Sequence, residues 1–283
     1  MSATPAALES EQRPPLARAL RHWRQQRRIS QLELALSCGV SQRHLSYLEV
    51  GRAQASREMV LRLGEALRIP LREQNHLLAT AGFAPQFRES ALGDAAMEPV
   101  FSALQMMLDH HEPYPALVVD WDWNLLRMNQ AMQRILGLLG DAEALWQRTC
   151  GDGPRNVFRI TMHPEGLRPF IRNWTELAPA VIARTRREAE HYCTPTLAEL
   201  LQWVEQDPEI PADWTAASSA PIMPVIPLVM GAGEMSLSMF SMISTFGTPH
   251  DVTTDELRVE TFFPADAASE ALLRTLAASA AGP

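Results

Sequence analysis

Two short apolar runs joined at one glycine, ISQLELALSCGVSQRHLSYLEVGR over residues 29–52, constrain this chain more than any other stretch. Leu32, Leu34, Ala35 and Leu36 stand before Gly39, and Leu45 and Leu48 after it, each set at helical spacing. Ser30 and Ser41 each precede a run, where a hydroxyl accepts a bond from an orphan N–H of the first turn. Gly39 stands where a chain turns sharply through a left-handed conformation, and Val40 supplies a small apolar wedge. Two capped helices meeting at a glycine make a helix-turn-helix. A surface helix with a mixed polar face would explain one helix, but not two caps and a turn. On the second helix, Gln42, Arg43, His44, Ser46 and Tyr47 present groups that bond base edges or phosphates, while Leu45 and Leu48 hold the helix to a core.

At 283 residues the chain suits two domains, each able to bury its own core. A formal charge of −8 opposes a protein that coats nucleic acid along its length. That charge is divided: residues 1–88 hold 13 Arg against 7 acidic residues, net +6, and residues 89–283 hold 12 Arg against 26, net −14. The positive part contains the helix-turn-helix. Every basic residue is Arg, a compositional bias rather than a functional choice. Cys38, Cys150 and Cys193 are odd in number and widely spaced, which fits a reducing compartment better than a disulfide framework. Cys38 reads as core, and a redox role for Cys150 or Cys193 lacks the basic or helix-start context that activates a thiol. The polar, Pro-punctuated start is unlike a signal peptide, and no uncharged apolar run reaches the ~20 residues that span a bilayer. A soluble cytoplasmic protein is expected.

Residues 1–15, rich in Ala, Pro and Glu, predict a mobile tail. Five helices are expected in residues 16–82: one at 16–28 with Leu16, Leu20 and Trp23 on one face, the two described above, one at 59–67 starting near Ser56, and one at 71–81 ending at Gly82. Residues 83–98 lose periodicity and read as a linker. In residues 99–283 an opening helix leads to a hairpin, 115–121 and 125–128 around Asp122-Trp123-Asn124, after which Asn129 caps a helix. Helical stretches at 166–189 and 195–206 precede strands at 222–230, 235–246 and 257–263. Strands before and after a block of helices predict an α+β domain on one antiparallel sheet. Gly231-Ala232-Gly233 reads as its hairpin turn, being too short and too late for a phosphate loop.

Residues 16–79 resemble the XRE-type (phage repressor and Cro-like) DNA-binding domain, through LARALRHWRQQRRISQLELALSCGVSQRHLSYLEVGR and its Glu49-x-Gly51-Arg52 signature. The resemblance implies an all-α five-helix reader of double-stranded DNA. It assigns Gln42, Arg43 and Ser46 to base edges, with Tyr47 joining them or packing on sugar, and Arg24, Gln31 and Arg52 to phosphates. Val50 stands where the family usually carries a polar residue, a departure that touches one backbone contact but not the fold. The segments PALVVDWDWNLLRMNQAMQRILG, NVFRITMHPEGLRPFIRNWTELA and FGTPHDVTTDELRVETFFPAD resemble the MmyB-like ligand-binding domain that follows XRE readers in many bacterial regulators. That resemblance implies a PAS-like sheet with helices over one face and a small apolar ligand of the fatty-acid type.

In the strand at 235–246 one face carries Met235, Leu237, Met239 and Ile243, and the other turns apolar at Phe240 and Met242. With Met223 and Met230 this pattern fits a pliable apolar pocket and a solid Met-rich core equally, and the resemblance to the MmyB-like domain implies the pocket. Its expected residues are Trp121, Asn129, Trp174, Met239 and Phe240, with Arg159, Arg168 or Arg172 facing a ligand carboxylate, Arg159 foremost. A structural ion pair is the commoner fate of such an Arg. His110, His111, His163 and His191 lack zinc spacing, so no metal and no cofactor is expected. A nucleophile elbow, a Walker loop and a framed carboxylate pair are all missing, which favours a regulator over an enzyme. The reading is a homodimeric transcription regulator on a palindromic operator, controlled by a small apolar ligand in its second domain. The alternative is a ligand-independent regulator whose second domain is a dimerisation or protein-docking scaffold. A third reading, an enzyme tethered to a DNA reader, would need a pocket with convergent titratable groups.

Overall fold

The computed structural model describes residues 14–192, 194–215 and 225–280. The expectations for the tail at residues 1–13, for Cys193 and for Met223 lie outside this set. The chain forms two compact units, one of residues up to Leu92 together with Thr248–Asp255, the other of Gly93–Gly247 and the chain from Glu256 onward.

The first unit contains α1 (Pro15–Gln26), α2 (Gln31–Ser37), α3 (Gln42–Val50), α4 (Arg57–Ala66) and α5 (Leu71–Thr80), the five expected helices. Pro15 opens α1, since its fixed φ and missing N–H suit a first turn. Leu20, Trp23, Leu34, Leu45, Leu48, Leu63 and Leu78 meet in one core with Cys38, whose thiol is pushed up by burial. Leu32 and Leu36 do not join them. They lie four apart on the opposite face of α2 and are 52% and 71% exposed. The first half of the expected linker is bound to this unit, because Asn75 accepts the Gln86 and Phe87 N–H groups at 2.9 and 3.0 Å and donates to the Phe87 carbonyl at 2.8 Å.

The second unit opens with α6 (Glu98–His110), β1 (Ala116–Val119) and β2 (Leu125–Met128), followed by α7 (Gln130–Leu138), α8 (Ala142–Cys150) and α9 (Val157–Met162). Next come α10 (Trp174–Tyr192), α11 (Pro195–Glu205), α12 (Ala212–Thr215), β3 (Leu228–Ala232), β4 (Met235–Thr245), β5 (Arg258–Pro264) and α13 (Ala267–Ala280). The strands form one antiparallel five-stranded sheet in the order β2-β1-β5-β4-β3, the α+β PAS-like architecture expected. Side chains alternate across it with the strand period of two. Leu117, Val119, Met239 and Phe262 enter the large core under the helices, whereas Ala116, Val118 and Val259 meet Leu104 and Leu108 of α6 on the other face. Both faces are therefore covered, where the resemblance implied helices over one.

Local signals explain the hairpin and the caps. Asp120 accepts the Asn124 N–H at 2.9 Å, and Trp123 turns through a φ of 64°. The helix expected at 166–189 is instead a 3₁₀ turn at Arg168–Phe170 followed by α10. The break arises because Arg172 N–H donates to the Val229 carbonyl at 2.8 Å and Asn173 accepts from the Val229 N–H at 3.0 Å, drawing the chain against β3. The last hairpin turns at Gly233 rather than at 231–233, with β3 running through Gly231 and Ala232.

Candidate DNA interface and ligand cavity

The helix-turn-helix is built as its punctuation dictates. Ser30 Oγ accepts the Glu33 N–H at 3.2 Å and Glu33 accepts the Ser30 N–H at 2.8 Å, a reciprocal cap that holds the Glu33 carboxyl below its ordinary range. Ser41 Oγ accepts the His44 N–H at 3.1 Å. Gly39 turns at φ 63°, and a Cβ there would touch nothing, so backbone conformation and not space calls for glycine. On α3, Gln42 and Arg43 are exposed and Ser46 and Tyr47 half-buried, while Leu45 and Leu48 are sealed beneath. Arg43 Nε donates to Tyr47 Oη at 3.0 Å, with the guanidinium 5.4 Å from the ring centroid. The pair is thereby pre-ordered on the outward face of the helix.

Two of the residues expected on phosphates have other work. Arg24 clasps Glu49 at 2.5 and 2.9 Å and donates to the Ile29 carbonyl at 2.9 Å, and Gln31 donates to the same carboxylate at 2.8 Å. Glu49 is 2% exposed, so these side chains fasten α1 and α2 to α3. Arg52 remains exposed at the end of α3.

In the second unit, a cavity of about 270 Å³ lies between α10 and the sheet. Its apolar walls include Trp123, Phe158, Leu177, Val181, Leu228 and Phe262, and its polar end is made by Arg184, Arg187, Ser241 and Glu260. Arg184 and Arg187 project together because they stand three apart on α10. Glu260 and Phe262 share a sheet face because they stand two apart on β5. Arg184 lies 3.6 Å from Glu260 and 4.3 Å above the Trp123 ring, and its Nε is buried with no hydrogen-bond partner. Behind it Arg258, 3% exposed, pairs with Glu188 at 3.1 Å, and Glu188 accepts the Trp123 Nε1–H at 2.7 Å. The cavity thus joins an apolar lining to a charged cluster of Arg184, Arg187 and Glu260. A larger depression of about 730 Å³ by Gln105, Asp109, Glu112 and Arg134 is mainly polar and offers no such apolar lining.

The six expected pocket residues lie outside this cavity's lining. Trp121 is buried in a stack on Tyr192, with ring centroids 3.9 Å apart. Asn129 is a bracket: its Oδ1 accepts the Ala116 and Met132 N–H groups at 3.0 Å, and its Nδ2 donates to the Tyr114 carbonyl at 2.7 Å. Arg159 lies over Trp203, and Trp174 sits under Arg168, which is paired with Asp207 and Glu209. Met239 is sealed in the core, and Phe240 stacks on Phe263 on the α6 side of the sheet, since it is one residue out of step with Ser241. Arg172 donates to the Gly233 and Met235 carbonyls across Gly231, where a Cβ would lie 1.9 Å from the Arg172 Nε. Local sequence does not announce Arg184 or Arg187, which stand among the mixed charges of α10; only Glu260 carries a signal, being one of two charges at alternate positions of RVETFFP, a segment otherwise fit for burial.

Among the described residues no three His, Cys, Asp or Glu side chains converge as metal ligands, and no helix is long and apolar enough to cross a membrane. A five-helix reader joined to a PAS-like domain with a charge-tipped apolar cavity is the build of a DNA-binding transcription regulator with a ligand-binding domain. The family comparisons agree: residues 20–74 match the helix-turn-helix model, and residues 100–276 match the MmyB-like transcription regulator ligand binding domain. The chain belongs to this MmyB-like family of regulators, whose matched domains are those of transcription regulators rather than enzymes. No curated protein matches the chain.

Proposed function

We propose that the protein is a homodimeric regulator that reads a palindromic operator with α3 and is controlled by a small apolar acid held in the second domain. The observation that carries the ligand reading is the buried, unpartnered Nε of Arg184 at the polar end of an otherwise apolar cavity. A carboxylate there would satisfy the guanidinium, and the alkyl body would lie against Phe158, Val181 and Phe262. The volume of about 270 Å³ falls just under the ~300 Å³ at which ordinary ligand sites begin, which favours a medium-length chain over a bulky ring system. A fatty acid fits that description. The cavity supports this reading over the scaffold alternative, which a filled core would favour.

On the DNA side, Gln42 and Arg43 are the base readers, with Ser46 and Tyr47 beside them and Arg52 on the backbone. A dimer sets two such helices about one helical turn apart on the duplex. The test begins with a site selected by the wild-type protein from a random-sequence library. Gln42→Ala or Arg43→Ala should weaken binding to that site by about 1–3 kcal/mol and relax preference at individual base pairs. Equal losses on selected and random DNA would remove both residues from base reading.

A further inference from the structure

Hairpin connections in compact domains usually run about 2–5 residues. Thr245 of β4 pairs with Arg258 of β5, so 12 residues, 246–257, separate partners that a tight turn could have joined. Eight of them, Thr248–Asp255, belong to the DNA-reading unit although both flanking strands belong to the sheet. Two carboxylates hold the insert there. Asp251 Oδ2 accepts from the Ser90 N–H at 3.1 Å and from its hydroxyl at 2.7 Å, while Oδ1 accepts the Thr253 N–H at 2.9 Å. Thr253 donates back to the Ser90 carbonyl at 2.6 Å, and Val252, 1% exposed, donates its N–H to the Arg88 carbonyl at 2.8 Å. Asp255 accepts the Leu71 N–H at 3.2 Å, at the start of α5, where Pro70 provides no side-chain cap.

The two legs of this insert are the strands that line the cavity. Ser241 stands on β4, and Glu260 and Phe262 on β5. Leu257 and Arg258, at 1% and 3% exposure, fix the returning leg in the sheet. A shift of β4 against β5 at the cavity must therefore be taken up within a few residues by a segment bonded to the reader.

We propose that the connector 246–257 is a strap through which the state of the cavity acts on the DNA reader, with Asp251 and Asp255 as its anchors. The strap rests on the cavity being the regulatory site, as argued above, but its mechanics do not depend on what the ligand is. A side chain can stand in for the ligand. In the full chain, Ser241→Phe fills the cavity from β4, and hydrogen exchange should change several-fold both at α10 amides around Val181 and Arg184 and at α5 amides Gln74–Leu78. In an Asp251→Ala/Asp255→Ala background the α10 change should persist and the α5 change should vanish. Adding back Asp251 with Asp255→Asn, which keeps the acceptor for Leu71, should restore it. An α5 response as large without the anchors as with them would overturn the strap, as would an α10 response with none at α5 in the otherwise wild-type chain. Ser241→Leu allows the same comparison if the phenylalanine prevents folding. Failure to find a natural ligand would count against the regulatory reading while leaving this result intact.

Discussion

Glu49, 2% exposed in the last turn of α3, is the buried hub joining Arg24 and Gln31. Removing one partner of a buried ion pair leaves an uncompensated charge. Glu49→Ala should therefore lower the unfolding free energy of the reader by about 3–5 kcal/mol, read by denaturant melting of the full chain. An Arg24→Met/Glu49→Met double variant should recover most of that loss, because no charge is then stranded. A single-variant cost no larger than that of an exposed pair would show that the network is incidental. The caps at Ser30, Ser41 and Asn129 and the turn at Gly39 were legible in the sequence because each is decided within four residues. The Arg24–Glu49 bond spans 25 residues, and no local rule announces it.

At the scale of elements, the five helices of the reader and the first hairpin follow from periodicity and punctuation, whereas the ligand cavity does not. Its walls come from α9, α10, β3, β4 and β5, and only the fold brings them together. The alternation of β4 predicts a strand entering a covered region, but only its first half is covered: Met239 is core, Phe240 faces α6, and Met242 and Ile243 are 57% and 40% exposed, because among the described residues nothing packs over the end of the strand. The strap offers a pH test at this scale. Burial raises the Asp255 carboxyl above the ordinary aspartate value of about 3.9, with the Leu71 N–H bond opposing the rise. An acid whose folded pKa lies above its unfolded one binds its proton more tightly when folded. Its favourable contribution is present at low pH and is lost as pH rises from the unfolded value through the folded one. Asp255→Asn keeps an acceptor for Leu71 and carries no charge, so its melting temperature relative to wild type should climb across that window and then level off. Parallel profiles for the two proteins would refute the burial assignment.

For the whole molecule, the division of charge already separated a positive reading end from an acidic remainder, and the two units follow it with the exception of the strap. Nothing in composition or periodicity reveals that residues 248–255 belong with the reader; FGTPHDVTTDEL reads as a loop between strands. Occupancy of the cavity by an apolar acid is expected to change how the reader holds DNA. Coupling between such sites is typically about 1–3 kcal/mol, or 5–150-fold in affinity. The direct measurement is the dissociation constant of the full chain for its selected operator, with and without saturating dodecanoate, for the wild type and for Arg184→Met. The wild type should show a shift of at least about fivefold. In the Arg184→Met variant the shift should be lost or displaced to higher dodecanoate. An operator affinity that does not change while dodecanoate demonstrably raises the melting temperature would contradict this coupling of cavity to reader.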